Sequence, residues 1–256
     1  MAGQAEQGKR WVGRFHVERL PAVGEDFRLT GAEGAHAAGS RRARIGDRLT
    51  LFDGSGRDVE CVVRDVSRRI VGVTGEEASE PGPPLPVPVT CVTALPKGSR
   101  CDIIAAQCAQ LGVARLVPVE FSRSVARPAG SRRKRRDRFR RLALEAAKQS
   151  GASTIMEIGE PLTLPDFLAE AGASGGLILA GDPEAVEALP DFMAARWPFD
   201  ALTFIVGPEG GFDAAERGLL ERSGVVPVRI ACTTLRIETA CTAFAAVAAA
   251  FLCGRA

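Results

Sequence analysis

Tyrosine is absent from the 256-residue chain, and aromatic side chains together make up only 5% of it. Extensive stacking of nucleic-acid bases on aromatic side chains is therefore not expected. His16 and His36 are the only histidines, so a multi-histidine metal site is not expected either, and we predict no metal. The seven cysteines form no CxxC pair. This argues against a disulfide framework or a zinc ribbon and favours a cytoplasmic protein with reduced thiols.

Long apolar runs and the common nucleotide-binding motifs are also missing. No stretch approaches the ~18 apolar residues of a membrane span, and the amino terminus lacks a signal-peptide core. The patterns GxxxxGK[ST] and GxGxxG are absent, which disfavours a P-loop protein and a nicotinamide dehydrogenase. The net charge is only +2. Any affinity for nucleic acid must therefore come from local clusters of charge.

The chain changes character at the proline-rich segment EEASEPGPPLPVP, where proline favours an extended linker. Before it, apolar residues alternate on both sides of Asp53-Gly54-Ser55-Gly56, which predicts a β-hairpin within a small β-barrel over residues 14–80. After it, apolar strands and helices alternate over residues 86–256, which predicts an α/β domain with a mostly parallel sheet. The last helix, residues 238–252, is apolar nearly all round and should be buried in the core or in an oligomer interface.

An apolar run ends in Gly-Pro-Glu-Gly-Gly within FIVGPEGGF, residues 204–212. Ligands of open parallel sheets bind at the carboxyl ends of strands, where glycine lets the backbone approach a ligand closely. Glu209 would repel a phosphate, and it suits a ribose, an amine or a sulfonium better. The alternative is that Gly210 and Gly211 only turn the chain into the next helix, although Pro208 and Glu209 are unusual in a simple turn.

A second candidate motif is LRIETA, residues 235–240, in which Arg236 and Glu238 flank Ile237 just before the apolar helix. An arginine held beside the glycine turn would contact the substrate. The alternative is that Glu238 or Thr239 only caps the helix, because the first turn favours acids and hydroxyls.

A basic run occupies residues 132–141, of which eight are Arg or Lys and only Asp137 is acidic. Pairing at i,i+4 along the helix cannot neutralise so many cations, which favours contact with a phosphate backbone. The alternative is a solvated helix face. The arginines expected to contact RNA are Arg132, Arg133, Arg135 and Arg136, together with Arg41 and Arg42 on the predicted barrel.

FIVGPEGGF followed by LRIETA resembles the carboxyl-terminal motifs of the RsmE family of SPOUT RNA methyltransferases. The similarity extends through RIGDRLTLFDGSG, AQCAQLGVARLVPVEFSRSV and LALEAAKQSGA and so covers most of the chain. It implies a PUA-like β-barrel over residues 14–80 and a SPOUT domain with a deep trefoil knot over residues 86–256. It also implies a homodimer that uses S-adenosylmethionine to methylate N3 of uridine 1498 in 16S ribosomal RNA, on the free RNA or the 30S subunit. A SPOUT enzyme for another RNA or a ribose hydroxyl, and a non-catalytic RNA-binding assembly factor, are the alternatives.

The resemblance also implies where the cofactor binds, bent in the knot with its adenine held mainly by backbone groups. The implied cofactor-binding residues are Leu179, Ala180, Gly181, Val206, Gly207, Pro208, Glu209, Gly210, Gly211, Ile230, Thr234, Leu235, Arg236, Glu238, Thr239 and Ala240. Arg14, in the first strand, is implied to contact RNA. For catalysis, we expect Arg236 to stabilise the uridine anion and Glu238 to act as the base. Glu209 would orient the cofactor or Arg236.

Some positions depart from the family pattern. Ser40-Arg41-Arg42 stands where the family usually has two apolar residues and an arginine. Gln110 replaces an acid, and Ala152 and Met156 stand where an arginine and a proline are usual. If that arginine contacts RNA in the family, the basic run at residues 132–141 could offset its loss.

Overall fold

The computed structural model describes residues 10–79, 82–124 and 132–255, and the chain divides into two compact units. The first unit contains the chain up to Pro84 and, in addition, Ala147–Ile155. The second contains Leu85–Ala146 and Met156–Ala256. The division after Pro84 lies in the proline-rich segment, but the return of Ala147–Ile155 to the first unit has no counterpart in the boundaries drawn from the sequence.

The first unit is built on a five-stranded sheet with the spatial order β1-β3-β4-β5-β2. In chain order its strands are β1 (Trp11–His16), β2 (Asp26–Leu29), β3 (Arg48–Phe52), β4 (Asp58–Val66) and β5 (Val71–Ala78). β1 runs parallel to β3, and the other neighbours are antiparallel. The register of β3 against β4 runs from Arg48↔Val62 to Phe52↔Asp58, which confirms the predicted hairpin. Helix α1 (Gly31–Ala35) and a π-helical turn (His36–Ser40) lead from β2 to β3.

Alternating side chains of this hairpin form the core of the first unit. Leu49 and Leu51 of β3 and Cys61 and Val63 of β4 are completely buried, together with Phe15 of β1. Burial of such apolar surface is worth about 25 cal/mol per Å². Burial also raises the pKa of the Cys61 thiol to about 12, so this thiol stays protonated at neutral pH.

The second unit is built on a parallel sheet with the order β12-β10-β11-β6-β7-β8, and β9 pairs with β7 beside this path. All of the paired neighbours described run parallel. This confirms the predicted α/β class with a mostly parallel sheet. The strands are β6 (Val89–Thr93), β7 (Arg115–Glu120), β8 (Glu157–Ile158), β9 (Leu162–Thr163), β10 (Leu177–Gly181), β11 (Leu202–Val206) and β12 (Val226–Val228).

Helices alternate with these strands. They are α2 (Arg100–Gln110), α3 (Arg132–Ser150), α4 (Leu164–Ser174), α5 (Leu189–Arg196), α6 (Ala214–Arg222) and α7 (Ile237–Cys253). The last residues of α3 belong to the first unit. Over the described residues, every helix is too short or too polar to cross a membrane.

Helix α7 packs against β6, β11 and α2. The Phe244 ring stacks on Phe204 of β11, with ring centroids 4.6 Å apart and planes 5° apart. Cys241 and Ala248 on the same side are also buried, whereas Val247 on the other side is partly exposed. The predicted burial of this helix is confirmed for the side that contacts the sheet.

The sequence analysis did not predict α4 and α5, although both begin with recognisable signals. Thr163 caps α4 by accepting a hydrogen bond from the Asp166 backbone N–H at 3.3 Å. Pro165 and Pro190 lie in the first turns of α4 and α5, where a missing N–H costs nothing.

Candidate functional site

A cleft of about 150 Å³ opens in the second unit at the carboxyl ends of β10 and β11 and along the chain after β12. Ligands of open parallel sheets bind at this edge. The lining residues are Gly181, Asp182 and Pro183 after β10; Val206, Gly207, Pro208, Glu209, Gly211 and Phe212 after β11; Arg217 of α6; and Ile230, Ala231, Thr233, Thr234, Leu235, Ile237 and Ala240 after β12.

The structure brings most of the predicted cofactor residues to this cleft, but not all of them. Leu179 and Ala180 lie within β10 and are buried in the sheet. The others that do not line the cleft are Gly210, Arg236, Glu238 and Thr239. The lining residues that are not on the list of individually implied cofactor residues are Asp182, Pro183, Phe212, Arg217, Ala231, Thr233 and Ile237. For each residue that was predicted to bind the cofactor, this contact stays a prediction, whether or not the residue lines the cleft.

The glycines of the turn after β11 leave space for neighbouring groups as well as turning the chain. A Cβ on Gly207 would lie 2.9 Å from Cε1 of Phe212, and a Cβ on Gly210 would lie 3.1 Å from Cβ of Arg123. Gly211 has φ +69°, a left-handed conformation that favours glycine, and its N–H donates to the Pro208 carbonyl at 2.8 Å. The turn therefore leads the chain towards α6 and also lines the cleft, and binding of a ligand by this turn stays a prediction.

Two arginines from other elements hold this turn. Arg100, at the start of α2, donates from Nη1 to Oε1 of Glu209 at 2.7 Å. Arg123 donates from Nη1 to the Gly210 carbonyl at 2.9 Å. Glu209 was expected to orient the cofactor or Arg236, but its partner in the structure is Arg100. No sequence signal links residues so far apart, so both arginines were missed.

The turn Phe121 to Ser124 after β7 supports the start of α6. The Ser122 hydroxyl donates to Oδ2 of Asp213 at 2.7 Å, and the Ser122 N–H donates to Oε1 of Glu216 at 2.7 Å. Asp213 and Glu216 also form a reciprocal capping box. The backbone N–H of Glu216, followed by the Ser122 hydroxyl, lowers the pKa of Asp213. These contacts fix the end of the glycine turn at which α6 begins.

An ion pair lies along another side of the cleft. Arg217 of α6 donates from Nη1 to Oδ2 of Asp182 at 2.6 Å, and Oδ1 of Asp182 accepts the Glu184 backbone N–H at 2.9 Å. The Asp182 side chain is 14% exposed, whereas that of Arg217 is 50% exposed. With Glu209, the charged residues that line the cleft within the described ranges are two acids and one arginine.

Some residues of the LRIETA motif line the cleft, and the others lie beside it. Arg236 is the last residue before α7, with extended backbone angles (φ −66°, ψ 153°) and no capping hydrogen bond from its side chain. It is exposed, as is Thr239. Glu238 lies in the first turn, and its Oε2 is buried without a hydrogen-bond partner among the described residues. Neither Glu238 nor Thr239 is the N-cap residue, because α7 begins at Ile237, although an acid at Glu238 in the first turn still favours the helix dipole.

Arg14, expected to contact RNA, is held inside the first unit. It donates to Oδ2 of Asp58 at 2.9 Å and to Oγ of Ser153 at 2.8 Å, and its guanidinium lies 5.2 Å from the centre of the Phe52 ring. Burial raises the pKa of Asp58, but hydrogen bonds from Ser153, Ser79 and Arg14 outweigh it, and the pKa lies below its ordinary value. The Arg14 side chain is 11% exposed. It therefore connects β1 and β4 to the returning segment, and its contact with RNA stays a prediction.

Arg41 and Arg42 are exposed, as a basic patch requires. Arg10 donates from Nη2 to both of their backbone carbonyls, at 3.0 and 2.9 Å. Arg42 has φ +53°, which is uncommon for a residue with a side chain. The contact with Arg10 fixes the backbone and leaves both side chains at the surface.

Some arginines of the basic run on α3 are exposed, whereas others are half-buried or paired with acids. Arg133 is exposed, whereas Arg135 and Arg136 are half-buried. Arg136 pairs with Glu160 and Arg138 pairs with Asp102. Both acidic partners come from outside the helix, so the sequence argument about i,i+4 pairing did not include them, and contact of the run with RNA stays a prediction. The side chain of Arg132 lies outside the described part of the structure.

Within the described ranges, no three His, Cys, Asp or Glu side chains are grouped so that they could hold a metal ion.

Two family models match the sequence. The RNA methyltransferase domain matches residues 83–249, and the RNA methyltransferase PUA domain matches residues 29–73. Together they define the class, which is an RNA methyltransferase with a PUA domain.

Named relatives narrow this class. The ribosomal RNA small subunit methyltransferase E of Mycobacterium tuberculosis is 35% identical over 231 residues, which cover 88% of this chain and 87% of the relative. The protein of the same name from Bacillus subtilis is 25% identical over 229 residues, 88% of each chain. The chain therefore belongs to the ribosomal RNA small subunit methyltransferase E family, which confirms the resemblance found in its motifs.

Solved structures share the fold along most of the chain. A Legionella pneumophila methyltransferase in complex with the cofactor SAM has a TM-score of 0.80 and 26% identity, covering 95% of this chain and 98% of that one. The ribosomal RNA small subunit methyltransferase E of Neisseria gonorrhoeae, bound to S-adenosyl methionine, has a TM-score of 0.81 and 24% identity, covering 93% and 96%.

Proposed function

We propose that this protein transfers the methyl group of S-adenosylmethionine to N3 of a uridine, uridine 1498, in the 16S ribosomal RNA of the small subunit. The observation that carries the proposal is the cleft that the glycine turn and LRIETA form at the carboxyl edge of a parallel sheet, in a chain of this family. The relative solved with SAM supports the choice of cofactor. The reaction would take place in the cytoplasm, on the 30S subunit or on its RNA.

The lining of the cleft suits this cofactor in space and in charge. A Cβ on Gly181 would lie 3.2 Å from Cδ1 of Ile230, so the missing side chain leaves room between β10 and the chain after β12. Asp182 and Glu209 would attract the ammonium and sulfonium groups. When bound, the cofactor supplies an electrophilic methyl group, and the main task of the protein is to align the uridine with it.

Arg236 supplies positive charge beside the cleft. Its side chain is exposed, and its neighbours Leu235 and Ile237 line the cleft. The N3 proton of uridine has a pKa about 2 units above neutral, so its removal costs about 3 kcal/mol. Arg236 lowers this cost by stabilising the negative charge on a uridine carbonyl oxygen.

Glu238 is the proposed base. Its Oε2 is buried and accepts no hydrogen bond from the described residues, so the protein leaves this acceptor unused. The carboxylate would take the N3 proton while N3 forms its bond to the methyl carbon and the sulfur–methyl bond breaks, so that S-adenosylhomocysteine leaves. Glu209, fixed by Arg100 at 2.7 Å, is assigned to orienting the cofactor.

We also propose the finer architecture of the family for this chain: the first unit as a closed PUA-like barrel, the second with a deep trefoil knot, and two copies joined through α2 and α7. Ile103 on α2 is 40% exposed and Val247 on α7 is partly exposed, so these helices offer apolar surface to a second copy. Light scattering should give a mass of about twice 27.0 kDa. The mass of one chain would contradict the dimer.

Reverse transcription of the product RNA tests the position of the methyl group. A methyl group on N3 blocks base pairing, so unmodified 30S subunits treated with the protein and cofactor should give a new stop at uridine 1498. Subunits treated without cofactor are the control. A stop at another position would show that a different nucleotide is methylated and would contradict the proposed target. Transfer without any stop would favour a ribose hydroxyl.

Arg236→Ala tests the assigned stabiliser. Methyl transfer should fall by at least 100-fold, the scale of one lost transition-state contact, while binding of S-adenosylhomocysteine is retained. Arg222→Ala, which removes an exposed arginine of α6 outside the cleft lining, is the matched control. Near-normal turnover of Arg236→Ala would show that the assignment is wrong.

A further inference from the structure

The cleft contains a charged pair whose role the methyl-transfer chemistry does not explain. Asp182 and Arg217 both line it, and their side chains meet at 2.6 Å. Arg217 was not singled out from the sequence and has no role in the proposed reaction, and Asp182 is assigned above only a general attraction for the positive groups of the cofactor.

A purely structural role explains this pair poorly. Helix α6 is already fixed by the Asp213–Glu216 capping box and by Ser122, so it does not need Arg217 as an anchor. The Arg217 side chain uses Nη1 for Asp182, and within the described residues the guanidinium makes no other hydrogen bond. A guanidinium carries five N–H donors. Half of this side chain is exposed, so its remaining donors are available to a ligand.

The charges along the cleft suggest which part of a ligand this pair contacts. Arg217 is the only cation among the described lining residues, and Asp182 and Glu209 are the acids. Glu209 already has Arg100, which does not line the cleft. A negatively charged ligand group can therefore find a cation in the lining only at Arg217. A ligand group that carries both signs fits the Asp182–Arg217 pair, because each charge finds a complement.

We propose that Arg217, positioned by Asp182, binds the α-carboxylate at the amino-acid end of the cofactor. This inference rests on the proposed function. The planar fork of arginine matches a carboxylate in a bidentate manner, and Asp182 lies close enough to Arg217 to accept the neighbouring ammonium. The pair thus selects cofactors that carry the amino-acid moiety over nucleosides that lack it.

Two small molecules separate this contact from the rest of the site. S-Adenosylhomocysteine carries the amino-acid end, and 5′-methylthioadenosine keeps the nucleoside and the sulfur but lacks it. Their affinities are measured by calorimetry on the full chain, on Arg217→Gln and on Arg222→Gln, which changes an arginine of the same helix outside the cleft lining. Arg217→Lys, which keeps the charge and loses the fork, gives a second variant if the first does not fold.

Arg217→Gln should weaken S-adenosylhomocysteine about tenfold, the size of a half-exposed charge-assisted contact, and leave 5′-methylthioadenosine unchanged. The affinity of Arg217→Lys for S-adenosylhomocysteine should lie between those of Arg217→Gln and the unaltered protein. Arg222→Gln should bind as tightly as the unaltered protein. If Arg217→Gln loses equal affinity for both compounds, or loses affinity for neither, the inference is overturned and the proposed function is unaffected. An unaltered protein that binds neither compound would overturn the proposed function and this inference with it.

Discussion

Replacing Gly207 with alanine should weaken cofactor binding, because the space for a Cβ is filled by Phe212. The new carbon would lie 2.9, 3.0 and 3.3 Å from Cε1, Cζ and Cδ1 of that ring. Carbon atoms normally approach to about 3.5–4.0 Å, so the ring has to move by roughly 0.5–1 Å. It cannot move freely, since Phe212 packs on Phe121 with centroids 5.6 Å apart and lines the cleft.

Overpacking of this kind costs about 1–3 kcal/mol. About 1.4 kcal/mol is a factor of ten in affinity, so S-adenosylhomocysteine should bind roughly 5- to 150-fold more weakly if the displaced ring narrows the cleft and the cost falls on binding. Calorimetry gives the affinity, and thermal unfolding shows how much of the cost falls on the fold.

Gly218→Ala is the matched control for this substitution. Gly218 lies inside α6, and the nearest atom to its added Cβ is the flexible Nη1 of Arg222 at 3.1 Å. Alanine in a helix interior is favoured over glycine by about 0.5–1 kcal/mol, so the control should bind normally and unfold at a slightly higher temperature. If Gly207→Ala also binds with unchanged affinity and unfolds at the same temperature, the argument from space is refuted.

Other predictions concern the first unit and the basic run. The pKa of Asp58 is lowered in the folded protein, so its charge stabilises the fold above about pH 4 and this contribution is lost as pH falls through the folded pKa. Urea unfolding should therefore show that Asp58→Asn lowers the free energy of unfolding by about 2 kcal/mol at pH 7. A difference in stability between the unaltered protein and the variant that does not shrink below about pH 4 would contradict this prediction. Arg133→Ala should reduce the salt dependence of RNA binding by about one unit of slope. Arg136→Ala should reduce it less, because Arg136 is paired with Glu160; equal slopes for both variants would argue against contact by Arg133.

Much of the fold could be predicted because its signals are local. The hairpin of β3 and β4 follows from alternating apolar residues around a glycine turn. The parallel sheet follows from short apolar strands that alternate with helices. The return of Ala147–Ile155 to the first unit had no such signal. It depends on Arg14, Asp58 and Ser153, which are far apart in the sequence.

The chain segments that form the candidate site could be predicted better than the individual side chains that line it. Because α7 begins at Ile237, helical periodicity puts Ile237 and Ala240 in the cleft lining, whereas Glu238 and Thr239 lie beside it. A shift of one residue in the helix start would have changed that outcome. The pairs Arg100–Glu209 and Asp182–Arg217 join separate elements, and no local motif links the two partners of either pair. Only the three-dimensional structure shows these pairs.

The most direct test of the account is methyl transfer from labelled S-adenosylmethionine to unmodified small ribosomal subunits, with naked 16S ribosomal RNA in parallel, followed by nucleoside analysis of the product. The account predicts label in 3-methyluridine. Label in any other nucleoside would contradict the proposed target. A protein that binds the cofactor but labels neither substrate would contradict its assignment to the small subunit, and one that does not bind the cofactor would contradict the proposed reaction itself.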